Sequence, residues 1–117
     1  MASTLFILND PSYGTERSYN ALRLAGSLSK VEGERVRVFL IGEGVTCAHR
    51  EQKVPTGHYN IEVMLKMAQK HGADIGVCGS CMDARGMGEA ELAEGTKRSS
   101  LDELTTWTRE ADKVLVF

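Results

Sequence analysis

The sequence predicts an α/β protein: a single three-layer α/β/α domain over residues 1–117, with a mostly parallel sheet of about five strands. Short apolar runs at positions 4–8 and 75–78 are typical of strands that are buried on both faces. Segments with apolar residues at helical spacing separate these runs, and such alternation favours right-handed crossovers into a parallel sheet. A chain of 117 residues has room for one domain with its own core.

The first part of the chain predicts a strand, a helix and a second strand. Strand Thr4–Leu8 is followed by turn-forming residues at 9–14. The next helix is expected from about Glu16 to Ser29, where apolar residues keep roughly helical spacing. Val36–Ile41 is again apolar and predicts the second strand. A long polar loop is expected from Gly42 to Gly57.

The clearest helical pattern follows this loop, with apolar residues at i, i+3, i+4 and i+7: Ile61, Met64, Leu65 and Ala68. Strand Ile75–Cys78 and a short helical segment to about Arg85 come next. Residues 89–97 fit either a helical turn or a short strand. Ser100–Glu103 is a capping box. It opens a helix whose inward residues are expected to be Leu101, Leu104, Trp107 and Ala111, and Val114–Phe117 is the last predicted strand.

Composition and charge argue against several classes of partner. The chain has 14 basic and 16 acidic residues, which gives a net charge of −2. This balance predicts no basic surface for nucleic acid or for an anionic membrane, and no apolar stretch is long enough to span a bilayer. The first residues lack the basic leader of a signal peptide. We therefore expect a cytoplasmic protein whose thiols are reduced.

Three loops are expected to meet at the carboxyl edge of the sheet. They are residues 9–15, 42–59 and 78–86, which follow the first three predicted strands, and each carries reactive or polar groups. Open parallel sheets bind ligands beyond the carboxyl ends of their strands. This edge is therefore the predicted site.

The most specific feature at this edge is the dithiol Cys78-Gly79-Ser80-Cys81. A cysteine between a strand and a helix start lies near free backbone N–H groups, which favour thiolate over thiol. Cys81 lies one helical turn away, so it can resolve a disulfide or persulfide that forms on Cys78. Arg85 can reach back from the next turn to pair with an anion. The pattern predicts Cys78 as the nucleophile and Cys81 as its partner.

Other interpretations of the cysteines stay open. Cysteine is often simply buried, so Cys78 can be a packing residue. Cys47, His49 or His58 could complete a zinc site, although a single C-x-x-C supplies only two ligands, and we predict no metal and no cofactor. A thioredoxin-like oxidoreductase also uses C-x-x-C, but it needs a proline beside the dithiol, which neither of the two prolines supplies. Cys47 is either a second reactive thiol or a buried anchor.

Four segments of the sequence are similar to DsrE-like proteins. Residues 9–25 resemble the first loop and helix of that family, and residues 44–60 resemble its second loop. Residues 77–86, Val-Cys-Gly-Ser-Cys-Met-Asp-Ala-Arg-Gly, resemble the YchN-type branch most closely. Residues 104–117 resemble the C-terminal helix and strand. The chain is thus identified as a member of the DsrE-like family, which includes the DsrE and TusD sulfur-relay subunits.

The resemblance implies a five-stranded domain that assembles into homo- or hetero-oligomers, commonly trimers or hexamers. In the relay subunits, a cysteine that matches Cys78 carries persulfide sulfur between proteins, which implies that Cys78 is a sulfur acceptor. The donor would be a protein such as a rhodanese-like domain. Tyr13, Asp10 and Tyr59 are assigned to the pocket wall from their loop positions and from the resemblance, and Cys47 joins them as a substrate-site candidate.

Two functions fit these observations. In the first, Cys78 accepts sulfane sulfur as a persulfide and passes it to a partner, or Cys81 resolves it. In the second, the chain is a homo-oligomeric module that binds a small molecule or a protein, and its cysteines are structural or redox-sensing. The second thiol is shared with the YchN-type branch, and it leaves open whether the chain is a sulfurtransferase or a sulfur carrier.

Overall fold

Five parallel strands form a single sheet at the centre of the molecule. The computed structural model describes residues 1–117. The strands are β1 (Ala2–Leu8), β2 (Glu34–Leu40), β3 (Asp74–Cys78), β4 (Lys97–Ser99) and β5 (Lys113–Val116). They lie in the order β4-β3-β2-β1-β5, and every pairing is parallel. The predicted sheet of about five strands is confirmed.

Helices cover both faces of this sheet. They are α1 (Arg17–Ser29), α2 (Ile61–Lys70), α3 (Gly79–Ala84) and α4 (Leu101–Glu110). α1 and α2 pack against each other on one face. α4 lies on the other face, where the Trp107 ring meets Phe39 edge-on with 6.2 Å between ring centroids. The predicted three-layer α/β/α fold is confirmed. None of the helices has the length and apolar character needed to cross a membrane.

Because both faces are covered, apolar side chains of the central strands are buried on either face. Leu5 and Phe6 are consecutive residues of β1 that point to opposite faces, and both are fully buried. Burial of such a side chain contributes about 1.5–3 kcal/mol to folding. Arg37 is the one charged side chain of β2 that is buried. Its guanidinium lies over the Trp107 ring and forms a 2.6 Å ion pair with Glu110.

Side-chain caps fix the starts of α2 and α4. The Asn60 side chain accepts a hydrogen bond from the Val63 backbone N–H at 3.1 Å. The Ser100 hydroxyl accepts from the Glu103 N–H at 3.2 Å, which confirms one half of the predicted capping box. The other half is wrong, because the Glu103 carboxylate accepts from the Ser99 hydroxyl instead of from the backbone of Ser100.

The prediction that Leu101 points inward is also wrong. Leu101 is 70% exposed, whereas Leu104 and Trp107 are buried. α4 begins directly after β4, an edge strand of only three residues. Its first turn therefore lies at the margin of the sheet, where there is little apolar surface to cover.

The segment after β2 differs from the polar loop that the sequence predicts. Residues Gly42–Ala48 form a 3₁₀ helix, and within it Val45 and Cys47 are fully buried. At Gly44, a Cβ atom would lie 2.0 Å from the carbonyl oxygen of Leu8, so this close approach needs glycine. The 3₁₀ helix therefore closes the core at the carboxyl end of β1.

Residues 89–97 contain both of the elements that their sequence fits. A 3₁₀ turn spans Glu89–Glu91, and β4 begins at Lys97. Between them, Leu92 forms an antiparallel bridge with His49. This bridge ties the loop after β2 to the segment that precedes β4.

Candidate functional site

The two thiols of the predicted site lie where β3 turns into α3. Cys78 is the last residue of β3 and the residue that caps the start of α3. In the sheet it is level with Ser99 of β4. Only 8% of Cys78 is exposed, whereas Cys81 is half-buried in the first turn of the helix. The strand-to-helix turn that the sequence predicts is thus present.

The surroundings of Cys78 favour its thiolate. The Ser80 hydroxyl oxygen lies 3.4 Å from the Cys78 sulfur. Burial raises the pKa of Cys78, but hydrogen bonds from the side chains of Cys81 and Ser80 and from the backbone N–H groups of both residues outweigh it. The pKa of Cys78 therefore lies below the ordinary thiol value of 9.0. The share of the nucleophilic thiolate at neutral pH rises accordingly.

The surroundings of Cys81 favour the protonated thiol. Burial raises the pKa of Cys81, and its hydrogen bond to Cys78 raises it further. The backbone N–H of Gly42 donates to the Cys81 sulfur at 3.2 Å, which opposes this rise without cancelling it. At neutral pH, Cys81 is therefore a thiol, and its S–H donates toward the Cys78 sulfur. The two thiols of the pair are therefore chemically unequal.

Arg85 lies beside Cys81 and is already paired. Its Nε donates to the Glu43 carboxylate, and its Nη1 donates to the backbone carbonyl of Cys81 at 3.1 Å. The positive charge of Arg85 lowers the pKa of Cys81 slightly, although burial dominates. Arg85 therefore ties α3 to the 3₁₀ helix Gly42–Ala48, and it neighbours Cys81 more directly than Cys78.

Asp10 and Cys47 meet behind the loop that follows β1. The Asp10 carbonyl accepts hydrogen bonds from the Ser18 hydroxyl at 2.8 Å and from the Cys47 thiol at 3.7 Å. Cys47 is fully buried, and burial raises its pKa to about 11. A thiol that stays neutral and inaccessible is a poor nucleophile, so this geometry favours the buried-anchor interpretation of Cys47.

Tyr13 and Tyr59 lie together in an aromatic cluster. Their ring centroids are 5.7 Å apart, and Tyr19 stacks on Tyr59 at 4.2 Å. The Tyr13 hydroxyl donates to the Gln52 side chain at 2.6 Å. The cluster borders a groove of about 380 Å³ that is also lined by Lys53, Val54, Pro55 and His58. The tyrosines contact this groove, Gln52 and the Ile61 backbone N–H at the start of α2, and their contacts lead away from the dithiol.

Arg98 also lies against the dithiol turn, although no sequence pattern points to it. Two N–H groups of its guanidinium donate to the two carboxylate oxygens of Asp83, each at 2.9 Å. At Gly79, a Cβ atom would lie 2.8 Å from Cζ of Arg98. The guanidinium therefore occupies the space that a side chain at position 79 would fill.

The side chains that the zinc interpretation needs do not form a cluster. No three side chains of His, Cys, Asp or Glu converge where they could hold a metal ion. Cys47 is turned into the core, and His58 lines the tyrosine groove. His49 is held by its backbone bridge to Leu92.

Comparison with known proteins supplies the family. A family model described as the DsrE/DsrF-like family matches residues 2–117. This chain is a member of the DsrE/DsrF-like family. Protein YchN of Escherichia coli strain K12 is 37% identical over 118 residues, which cover 100% of each chain. An uncharacterized protein of Methanocaldococcus jannaschii is 40% identical over 111 residues, which cover 95% of this chain and 96% of that protein.

Solved structures agree with this assignment to the DsrE/DsrF-like family. The crystal structure of YchN from E. coli matches all of both chains with a TM-score of 0.93 and 37% identity. A protein of unknown function from Methanobacterium thermoautotrophicum also matches over all of both chains, with a TM-score of 0.80 at 15% identity, and that likeness concerns the fold alone. The resemblance that the sequence motifs indicate is confirmed.

Proposed function

We propose that this DsrE/DsrF-like chain handles sulfur: Cys78 accepts sulfane sulfur as a persulfide and passes it to a partner, or Cys81 resolves it. The observation that carries the proposal is the unequal pair of thiols. Hydrogen bonds stabilise Cys78 as a thiolate, whereas Cys81 is held protonated beside it. Membership of the family is consistent with a role related to sulfur relay.

The first step is attack by the Cys78 thiolate on the outer sulfur of a donor persulfide. A bond forms between Cys78 Sγ and that sulfur, and the sulfur–sulfur bond of the donor breaks. The donor sulfur leaves as a thiolate with the electron pair of the broken bond. No external oxidant or reductant is needed, because this is an exchange between sulfur atoms. A rhodanese-like protein is the kind of donor that we propose, in the reducing cytoplasm.

Cys81 gives the persulfide a second fate. When it loses its proton, its sulfur can attack Cys78 Sγ, form a Cys78–Cys81 disulfide and expel hydrosulfide. The dithiol is oxidised and the transferred sulfur is reduced, so a further turnover needs a dithiol reductant of the thioredoxin class. Because the raised pKa of Cys81 limits its thiolate share, this step is slower than attack by a thiol of ordinary pKa would be. This difference favours transfer of the persulfide sulfur to a partner.

We also propose that the protein works as a homo-oligomer, for which the resemblance implies a trimer or hexamer. Apolar side chains are exposed on the outer helices: Val63 and Met67, one turn apart on α2, are 53% and 46% exposed. Val116 on the edge strand β5 is 65% exposed. Neighbouring exposed apolar side chains such as Val63 and Met67 are the kind of surface that a second copy could cover. Light scattering at micromolar concentration should give a multiple of the chain mass, and a monomer would contradict the proposal.

The sulfur-transfer proposal is tested by intact mass after incubation with a low-molecular-weight persulfide. The proteins are the reduced wild type and the variants Cys78→Ser, Cys81→Ser and Cys47→Ser. We expect one added sulfur atom on every protein except Cys78→Ser. Cys47→Ser is the matched control, because it removes a thiol without touching the turn. Absence of an adduct both on folded wild type and on folded Cys81→Ser, where no second thiol can resolve it, would contradict sulfur acceptance and favour the binding-module function, with the tyrosine groove as its candidate site.

A further inference from the structure

Arg98 reaches the dithiol through the pairing of two strands. β4 is in register with β3 so that Arg98 is level with Val77, and Ser99 is level with Cys78. From this position the Arg98 side chain crosses the backbone at Gly79, where a Cβ atom would lie 2.8 Å from both Cζ and Nε. A cation is thereby held against the residue that directly follows Cys78.

Asp83 fixes the direction of this cation. The two hydrogen bonds of 2.9 Å run in parallel between the guanidinium and the carboxylate, which is the bidentate geometry that arginine favours. The Arg98 and Asp83 side chains are 37% and 66% exposed. Exposed ion pairs add little to stability. The main effect of this pair is therefore to hold the guanidinium in place beside the dithiol.

We propose that Arg98 is a positioning residue of the dithiol site: its guanidinium, held by Asp83 across Gly79, favours the anionic form of Cys78 Sγ. This inference rests on the proposed function, since the charge of that sulfur matters only where the sulfur is a nucleophile. A nearby positive charge stabilises a thiolate relative to a thiol. The same charge would stabilise a persulfide anion on Cys78 before its sulfur is passed on.

Other charged groups also surround the turn. The pKa of Arg98 is raised, first by its hydrogen bonds with Asp83 and to a lesser extent by the negative charges of Glu89 and of Cys78. On the side of the 3₁₀ helix Gly42–Ala48, Glu43 neutralises Arg85. Arg98 therefore acts among charges of both signs, and the negative charge of Asp83 opposes its effect on Cys78.

Because the charges of Arg98 and Asp83 affect Cys78 in opposite ways, removing each charge should shift the reactivity of Cys78 in opposite directions. Alkylation of Cys78 by iodoacetamide, which is neutral and reacts with thiolate, is followed against pH, with the modified residue identified by peptide mass spectrometry. Arg98→Met should raise the midpoint of the rate profile by about half to one pH unit, because it removes the cation. Asp83→Asn should lower the midpoint, because the amide oxygen of asparagine still accepts a hydrogen bond from the guanidinium and keeps it in place, while the negative charge that opposes the cation is gone. If the pair were merely structural, both variants would break it and would shift the midpoint in the same direction or leave it in place.

Two further variants separate charge from shape. Arg98→Lys keeps the charge and should stay closer to the wild-type midpoint than Arg98→Met does. Gly79→Ala should push the flexible guanidinium aside and move the midpoint in the direction of Arg98→Met. In the double variant Gly79→Ala/Arg98→Met, the alanine should add no further shift, because the group that it displaces is gone.

Persulfide loading of the same proteins separates this inference from the proposed function. If wild type takes up no sulfur, the proposed function fails, whatever the alkylation profiles show. If wild type takes up sulfur and Arg98→Met loads more slowly with a raised alkylation midpoint, the role of Arg98 is supported. If wild type takes up sulfur while Arg98→Met and Asp83→Asn keep the wild-type midpoint or shift it the same way, the role of Arg98 is overturned.

Discussion

The three cysteines of this chain occupy three different environments. Cys47 is fully buried in the core, and the polar groups that its thiol contacts are the Asp10 carbonyl and the Ser18 side chain. Cys78 accepts hydrogen bonds at a turn, and Cys81 accepts one from Gly42 while burial keeps it protonated. At the scale of single residues, burial and hydrogen bonding assign a different acidity to each thiol. Reactivity should follow the same order, with Cys78 first.

Cys47→Ala tests the burial argument through the pH dependence of stability. Burial raises the pKa of Cys47 from 9.0 to about 11 in the folded protein. Between these values the unfolded chain loses the Cys47 proton while the folded protein keeps it. The free energy of unfolding should therefore fall as pH rises through this window, by up to about 1.4 kcal/mol per pH unit from this group alone.

Urea titrations of wild type and Cys47→Ala, run at about pH 8 and about pH 10, measure this effect. The alanine variant loses packing at both pH values, so the comparison is between slopes and not between absolute stabilities. Wild type should lose more stability than the variant over this interval. Equal losses in the two proteins would contradict a buried, neutral Cys47.

The dithiol itself could be predicted at this scale, whereas its cationic neighbour could not. A strand that ends in Cys78, followed by glycine and a second cysteine one turn later, is a local pattern. Arg98 comes close only because β4 lies beside β3. Arg85 was within sequence reach of the dithiol, but the Glu43 carboxylate and the Cys81 carbonyl hold its guanidinium.

At the scale of elements, the 3₁₀ helix Gly42–Ala48 connects the dithiol to the core. Its first residue donates to the Cys81 sulfur at 3.2 Å, and Glu43 holds Arg85 of the dithiol segment. On its inner side, Gly44 packs against the end of β1. The position of the Cys81 sulfur therefore depends on how this 3₁₀ helix sits on the sheet.

Gly44→Ala tests the close packing of this element. The added methyl group would lie 2.0 Å from the Leu8 carbonyl oxygen, which belongs to the backbone and cannot move aside cheaply. We expect a loss of about 2 kcal/mol or more in the free energy of unfolding. Gly26→Ala is the matched control, since position 26 is inside α1 and a Cβ atom there meets nothing within 4 Å.

The control should gain about 0.5–1 kcal/mol, because alanine is the better helix former. Urea denaturation of both variants and of wild type measures the two effects. A Gly44→Ala protein as stable as wild type would show that the 3₁₀ helix can shift on the sheet, and the argument that it fixes Cys81 would fail.

Elements with strong apolar patterns were predictable, and those set by tertiary contacts were not. α2 has apolar residues at regular spacing and an Asn60 cap, so local rules define it. The 3₁₀ helix Gly42–Ala48 contains two glycines and a single large apolar residue, Val45, so no apolar pattern marks it, and its burial depends on β1. In the same way, Glu103 leaves its capping role because the Ser99 hydroxyl is available.

At the scale of the whole molecule, the parallel topology collects the site at one edge. The loops after β1, β2 and β3 meet there, as the strand–helix alternation predicts. Within this edge the tyrosines stack with one another, while the dithiol contacts Gly42 and Arg98. Which loop residues contact each other depends on side-chain packing, and no pattern within a single segment encodes it.

A time course of intact mass after one addition of persulfide tests the central claim most directly. Wild type and Cys81→Ser are compared, and peptide mapping locates the added sulfur. We expect one sulfur atom to appear on Cys78 in both proteins and to persist in Cys81→Ser. In wild type we expect it to give way to a Cys78–Cys81 disulfide with release of hydrosulfide. Sulfur that appears first on Cys81, or on neither cysteine of the folded protein, would contradict the central claim.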